Sequence, residues 1–335
     1  MSPQRVIGID LGGTKALAGV VEADGNVLSR VIVSSRELRD RPADLLDRLA
    51  DVARSAATEA KVDFDDIRAV GIGIPGTLDL TRSIVGVAPN LDWINLPARA
   101  ELEKRMPGKQ VFLENDVRAA ALGEHYFGAG RGHRSMVALF VGTGVGGGII
   151  LDHRVYHGAR GGAGEIGHVV VAAGGPECGC GQAGCVEAMA ARGAVARYVQ
   201  EMVDAGRTTV LSEALKGNLA SLTSRDLRLA LERGDEVALD AAKKSAWYTG
   251  IAVGGLVNTV DPDLVVLGGG IAEAPGDAYV EWVRAAARPQ ILALSAKDIA
   301  IVPSVLGDDA GLLGAALSAL GGLGESSPSA TFTPA

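Results

Sequence analysis

Short apolar runs separated by glycine turns dominate the first third of the chain. Residues 6–10 and 17–21 read as strands joined across Gly12-Gly13, and Asp24-Gly25 marks a tight turn before a third apolar run at 27–33. Pro42 opens a stretch in which Leu45, Leu49, Val52 and Ala56 recur at helical spacing on one face. Residues 69–74 form a continuous apolar run, the mark of a buried strand, and end at Pro75-Gly76. Pro97 starts another helix, and 111–113 is a strand running into Glu114-Asn115-Asp116.

The pattern then recurs. An apolar strand at 136–141 leads into a glycine turn at 142–148, a strand at 149–151, a turn at Asp152-His153 and a third strand at 155–156. Two strand–turn–strand–turn–strand units, each followed by helices and single strands, predict an internal duplication of one α/β unit. Duplicated α/β units leave a cleft between them, where small ligands usually bind. From 188 to 247 the chain reads as mostly helical, broken near Gly206 and Gly217, and 236–257 reads as one long helix whose Gly-rich end must pack closely. A buried strand at 264–267 precedes Gly268-Gly269-Gly270, and Asp309 is expected to cap a final apolar helix at 310–320.

With 335 residues, 47% hydrophobic and 21% charged, the chain suits a folded protein of two domains. Its net charge of −8, with no basic stripe, argues against nucleic acid as a partner. The longest uncharged stretch, 135–151, is studded with glycines and reads as strand–turn–strand, not as a membrane span. The N-terminus runs straight into a strand with no signal-peptide core. Together with an odd, clustered set of cysteines, this predicts a cytoplasmic setting.

That cluster carries the first chemistry. Cys178, Cys180 and Cys185 are the only three cysteines, and His168 lies ten residues upstream of the first. One imidazole and three thiolates complete the tetrahedral shell of a structural zinc, and C-x-C spacing disfavours a relaxed disulfide. The alternative is three packed, inert thiols. A zinc here would hold Glu165 and Glu187 in place without needing an open position, and the glycine turns at Gly12 and Gly144 would stay independent of it.

Those turns carry the second. Asp10-Leu11-Gly12-Gly13-Thr14-Lys15 closes a strand with an acid and opens a turn whose N–H groups could approach phosphate oxygens. Asp10 could hold Mg²⁺, directly or through water, or be an ordinary surface acid of a hairpin. Gly142-Thr143-Gly144-Val145-Gly146-Gly147 matches the spacing of a dinucleotide fingerprint, but a strand follows instead of the required helix. It reads as a second phosphate-facing hairpin. Gly268 to Gly270 could let a purine ring lie against bare backbone.

Taken together, the Asp10–Lys15 turn, Glu114-Asn115-Asp116, the 141–147 turn, Gly164-Glu165-Ile166-Gly167-His168 and the run from Cys178 to Glu187 resemble the ROK family of bacterial sugar kinases and repressors. The nearest likeness is to its glucokinases. The resemblance implies an actin-like ATPase architecture of two RNase H-like α/β domains with ATP and sugar in the cleft between them. It implies a small domain of 1–117 plus 309–325, a large domain of 118–308 carrying the zinc loop, and a disordered tail at 326–335. Asn115 and Asp116 look like the family's pair on the sugar, Asn115 holding hydroxyls and Asp116 acting as general base. Gly76, Asn90, Glu165, His168 and Glu187 fall where family members contact sugar. His168, Cys178, Cys180 and Cys185 match the zinc ligands. Asp10, Gly12, Gly13, Thr14, Lys15, Thr143, Gly144 and Gly146 resemble the phosphate loops, and Gly268, Gly269 and Gly270 the adenosine contact. Repressor members carry an N-terminal helix-turn-helix, for which no room precedes the first strand.

The expectation is an ATP- and Mg²⁺-dependent glucose kinase with a structural zinc, acting on small molecules and assembling as a homo-oligomer, a dimer or tetramer. N-acetylglucosamine, mannose and fructose remain alternative acceptors, and polyphosphate an alternative donor. A sugar-sensing regulator without catalysis is a reading from another class, against which Asp10, Thr14 and Asp116 argue. A zinc hydrolase is a third, weakened because four protein ligands leave zinc no place for water.

Overall fold

The computed structural model describes residues 4–292 and 298–323. Strand β1 (Arg5–Leu11) is followed by β2 (Lys15–Glu22), β3 (Val31–Ser34), α1 (Pro42–Glu59), β4 (Ala69–Ile74), β5 (Val85–Ala88), β6 (Trp93–Leu96), α2 (Ala98–Arg105), β7 (Gln110–Asn115) and α3 (Asp116–Phe127). Then come β8 (Met136–Val141), β9 (Val145–Leu151), β10 (Arg154–Val155), α4 (Val186–Ala190), α5 (Arg192–Asp204), α6 (Val210–Ala214), α7 (Ser224–Glu232) and α8 (Glu236–Val260). The chain finishes with β11 (Leu264–Gly268), α9 (Gly270–Glu273), α10 (Asp277–Ala287), β12 (Ala300–Pro303) and α11 (Asp309–Gly322).

The expected duplication is visible in the strand order. One sheet runs β3-β2-β1-β4-β7 and the other β10-β9-β8-β11-β12, the same order twice. In the first sheet β2 pairs antiparallel with β1 and β3, while β4 is parallel to β1 and β7. In the second, β11 is parallel to β8 and β12, and β10 is antiparallel to β9.

The described residues form two compact units, one drawn from 4–134, 148–164 and 305–323, the other from 135–147, 165–292 and 298–304. This grouping differs from the boundary expected at 117/118 in that α3 and residues 148–164 fall with the first unit. Glycine is the reason: α11 lies so close to α3 that a Cβ at Gly314 would collide with the Ala119 carbonyl. In the first unit the sheet is covered on both faces. Ile7, Ile9, Val70 and Ile72 pack with Leu45, Leu49, Val52 and Ala56 of α1 on one side. Val6, Leu17 and Ala69 pack with Leu312, Leu313 and Ala316 of α11 on the other.

In the second unit α8 is the long helix the sequence predicts over 236–257, running on to Val260 and capped by Asp235, whose carboxylate accepts from Ala238 N. Two of its glycines pack closely, while Gly255 faces open space: a Cβ at Gly250 would lie 2.5 Å from the Ala286 methyl of α10 and one at Gly254 2.4 Å from the Gln290 Cβ.

Three local expectations differ. The strand expected at 27–33 is reduced to β3, because the Ser29 hydroxyl takes the ladder's place, accepting from Val20 N at 3.1 Å and donating to the Ala56 carbonyl at 2.8 Å. Asp309 is not the cap of α11. It is the first helical residue, its carboxylate held by the Arg30 fork at 2.9 and 2.7 Å, and Asp308 occupies the cap position without a side-chain cap bond. The β5–β6 hairpin and β12 were not expected at all, since four-residue strands are too short to show a period. The tail expected over 326–335 lies outside the described residues.

Candidate active site

In the first unit the candidates converge on the ends of β1, β4 and β7. Pairing sets Asp10 of β1 beside Gly73 of β4, and Gly73 beside Glu114 of β7. Gly73 leaves the floor bare: a Cβ there would lie 3.3 Å from Asp116 Cα and 3.7 Å from Asp10 Oδ1. Asp10 also faces Gly311 in the first turn of α11, where a Cβ would come within 2.5 Å of its carboxyl carbon. Burial, helped by the Asp116 carboxylate, opposed by Lys15 and helped slightly by Asp308, pushes the Asp10 pKa up to about 7. Two acids brought this close in a half-buried corner need a cation to be comfortable together.

Around that corner, Gly12 N donates to Lys15 O at 2.9 Å to close the first glycine turn, and the Ser35 hydroxyl steadies it by donating to Gly12 O at 2.7 Å. Thr14 O accepts from Ser35 N at 3.1 Å, and Lys15 Nζ pairs with Asp308 at 2.7 Å. A Cβ at Gly13 would lie 3.5 Å from the Asn90 Cβ, which brings an expected sugar residue to the phosphate-facing turn. Gly76 has a φ of 108°, and a side chain there would strike Ala88, so only glycine lets the chain pass the β5–β6 hairpin.

Asn115 and Asp116 are fixed at the N-terminus of α3. Asn115 is the helix cap, its Oδ1 accepting from Val117 N and Arg118 N at 3.1 Å each. Its Nδ2 donates to Gly76 O and to Asp116 Oδ1, both at 3.1 Å. Asp116 Oδ1 also accepts from Val117 N at 2.9 Å. The pair is therefore preorganised by the chain itself, and Gly76, Asn90, Asn115, Asp116 and Asp10 come together as expected residues of one unit.

In the second unit the glycine turn between β8 and β9 is closed by Gly142 N donating to Gly144 O at 2.8 Å. Glu187 reaches that turn: its Oε2 accepts from Val145 N at 2.9 Å, and its Oε1 lies 3.8 Å from Cys178 Sγ. One carboxylate thus bridges the thiol cluster and the turn carrying Thr143, Gly144 and Gly146. The turn expected to stay intact without the metal is thus joined to the cluster by one side chain. Gly269 has a φ of 88° and crowds Val141, the end of β8, while Gly142 lies 3.9 Å, measured from an added Cβ, from Gly270 N. Gly268 to Gly270 are neighbours of the second turn.

The cluster itself fits zinc. The ligand atoms of His168, Cys178, Cys180 and Cys185 all lie within 4.8 Å of one another. His168 Nδ1 is 3.7 Å from Cys178 Sγ, and Cys180 Sγ is 3.7 Å from Cys185 Sγ. Zn–S and Zn–N bonds of about 2.3 and 2.0 Å in a tetrahedron require edges of about 3.5–3.8 Å, which these two pairs meet, and the remaining separations of at most 4.8 Å lie close to that range. Burial pushes the Cys178 thiol up, and burial together with the other two thiols pushes Cys185 up to about 12; Cys180, whose sulfur takes a backbone hydrogen bond at Gln182, is lowered. Ionising all three without a cation is opposed, and a divalent ion removes the opposition. With Nδ1 turned to the sulfurs, Nε2 of His168 points away from them. Glu165 precedes the short turn Ile166–His168, and its backbone carbonyl accepts from His168 N at 3.1 Å.

One pair escapes sequence reasoning. Glu114, 2% exposed, places Oε2 2.7 Å from His157 Nε2, with Arg82 3.7 Å from the same oxygen. Glu114 stands beside Asn115 and could be suspected for that alone. His157 and Arg82, in turns without periodicity, give no signal.

A glucokinase of Thermotoga maritima is 37% identical to the chain over 317 residues, 94% of this chain and 97% of its own length. The crystal structure of a ROK family glucokinase from Streptomyces griseus in complex with glucose and AMPPNP superposes with a TM-score of 0.79 at 35% identity, covering 94% of this chain and 99% of that one. A xylose repressor of Caldicellulosiruptor bescii is 30% identical over 310 residues, 92% of this chain and 76% of its own length. The fold is that of the ROK kinases, a mixed α/β fold of the actin-like ATPase type. The match to the family itself runs over residues 6–321, and the chain belongs to the ROK family.

Proposed function

We propose that this protein is an ATP-dependent hexose kinase that phosphorylates glucose on its 6-hydroxyl. The observation that carries this reading is the Asn115–Asp116 pair, locked at the start of α3 beside Asp10 across the bare floor of Gly73. The similarity to glucokinases, one of them solved with glucose and AMPPNP, supports the acceptor and the donor.

In this reading Asn115, Gly76, Asn90, Glu165, His168 and Glu187 hold the sugar hydroxyls. Asp116 accepts the proton of the 6-hydroxyl as its oxygen bonds to the γ-phosphorus, and the bond from that phosphorus to the bridging oxygen breaks to leave ADP. The turns at Gly12, Gly13, Thr14 and Lys15 and at Thr143, Gly144 and Gly146 present N–H groups to phosphate oxygens, with Gly268 to Gly270 against the adenosine. Asp10 is the residue suited to hold Mg²⁺, which when bound neutralises charge on the phosphates. Zinc at His168, Cys178, Cys180 and Cys185 is structural, since four protein ligands fill its shell.

A coupled ADP-release assay over glucose, mannose, fructose and N-acetylglucosamine, with ATP and polyphosphate as donors, tests the reading. A higher kcat/KM for another hexose reassigns the acceptor, and no turnover with any of them favours a sugar-sensing regulator, as the similarity to repressors would suggest. A cytoplasmic location and a homo-oligomeric state, a dimer or tetramer, are further proposals; light scattering on the purified protein tests the second. Among the described residues no helix is long and apolar enough to cross a membrane.

A further inference from the structure

Glu114 is one of the few carboxylates in the protein that is almost wholly buried, and neither phosphate nor sugar binding as proposed above uses it. Both of its oxygens are committed. Oε1 accepts from the backbone N–H of the next residue, Asn115, at 3.0 Å. Oε2 lies 2.7 Å from His157 Nε2. The Arg82 guanidinium, which only donates, lies 3.0 Å from the same ring nitrogen, so His157 and Arg82 together hold this side of the carboxylate. Arg82 is also 3.7 Å from Oε2 itself and is its positively charged partner.

A buried carboxylate without such partners would be expensive, and here its partners define where it stands. Alternation along β7 sends Glu114 to the face opposite Leu113 and Asn115. The hydrogen bond from Asn115 N therefore fastens the final strand residue from behind, just before the chain turns into α3. His157 begins the glycine-rich stretch from Gly158 to Gly164, and its carbonyl accepts from Ala163 N at 3.1 Å, so the far partner is itself a closed loop rather than a loose side chain.

We propose that Glu114 and His157 are positioning residues: His157 holds the buried Glu114 carboxylate, and Glu114 fixes the Asn115 backbone and with it the aim of the Asn115–Asp116 pair at the acceptor hydroxyl. The proposal rests on the kinase reading for its consequence in turnover, but not for the linkage itself. Neither residue touches the reacting atoms, and their effect passes through Asn115 N. An error of well under 1 Å at a base is enough to slow transfer, because the rate depends on near-attack geometry.

His157 offers the cleaner test, since its side chain is 28% exposed and can be changed without emptying the core. His157→Ala removes this partner of the carboxylate. His157→Gln supplies an N–H of comparable reach. We expect kcat to fall roughly tenfold in the alanine variant while the glucose KM rises less than about threefold, and the glutamine variant to recover most of the loss. The melting temperature of both should stay close to that of the parent.

The linkage is read without substrate by NMR of ¹⁵N-labelled protein, from the position and exchange rate of the Asn115 amide. That amide should shift and exchange faster in His157→Ala and return in His157→Gln. If it ignores His157→Ala, or if both variants lose turnover equally together with thermal stability, the proposal is overturned and the pair is only packing. If the parent phosphorylates no hexose while the amide responds as described, the kinase reading fails and the linkage stands.

Discussion

Asp116→Asn is the sharpest perturbation available, because the geometry separates its chemical cost from its structural one. The side chain's Oδ1 accepts from Asn115 Nδ2 at 3.1 Å and from Val117 N at 2.9 Å, and an asparagine oxygen can keep both. What disappears is negative charge and proton acceptance. Asp116 is the first residue of α3, so losing the charge at the helix N-terminus costs about 0.3–1 kcal/mol of stability. Relief of repulsion on Asp10, whose pKa the Asp116 carboxylate raises, works in the opposite direction. The net change in stability should therefore stay within about 1 kcal/mol. The barrier to transfer should rise much more: general-base catalysis is worth about 10²–10⁴-fold, or about 2.7–5.4 kcal/mol. In the coupled assay kcat should fall at least ~10²-fold, while glucose affinity, measured by calorimetry, changes only modestly. A variant retaining a tenth or more of parental turnover would refute the argument and place the base elsewhere.

Three further outcomes are expected. Cys180→Ser should drop bound zinc from about one per chain to near none by elemental analysis, since an alcohol is a poor ligand for this ion; because Glu187 ties the cluster to Val145 N, the KM for ATP should rise along with that for glucose, and an unchanged ATP KM would break the link. Gly71→Ala should lower the melting temperature by several degrees, because its Cβ would enter the Ala315 carbonyl of α11 and overpacking costs about 1–3 kcal/mol. His125 is buried, and that burial, with His153 and His133 nearby, depresses its pKa to about 4 from 6.5. The unfolded chain therefore takes up the proton first, so stability is full above pH 6.5 and falls as pH drops toward 4, by about 3 kcal/mol at 1.36 kcal/mol per pH unit. Urea titrations across that range check the slope, which His125→Gln should flatten.

What the sequence made legible followed from period and from punctuation. β1, β2 and β4 are apolar runs bounded by Gly12, Asp24-Gly25 and Pro75-Gly76, and α1 carries its apolar face at Leu45, Leu49, Val52 and Ala56. The cluster that could hold a metal was legible because thiols are rare and clustered, and the sulfurs of Cys178, Cys180 and Cys185 converge with the His168 imidazole. What was hidden depends on distance in three dimensions. The β5–β6 hairpin was hidden because it is built from two four-residue strands, and the unit boundary because close helix packing at Gly314 leaves no mark on local pattern. Ser29 breaks a strand through a hydroxyl that must find Val20 N across a turn, which no local propensity encodes.

Glu187 shows why such hidden contacts change the functional argument and not only the drawing. From the sequence it is a carboxylate two residues after Cys185, fixed by the metal loop and offered to sugar. In the fold its two oxygens face different partners, Val145 N in the glycine turn and Cys178 in the cluster. A shift of the cluster must then move the N–H groups of the turn, because a hydrogen bond of 2.9 Å tolerates little displacement before it is lost. A Cβ at Gly144 would run into the same carboxylate, so this glycine is required by the bridge as much as by any phosphate. The metal loop therefore supports the nucleotide side as well as the sugar side of the proposed reaction. The two contributions separate in a Glu187→Gln variant, which can keep the acceptor for Val145 N while losing the charge. Its ATP KM should remain near that of the parent and its glucose KM should rise; the reverse pattern would mean that charge, not the hydrogen bond, holds the turn.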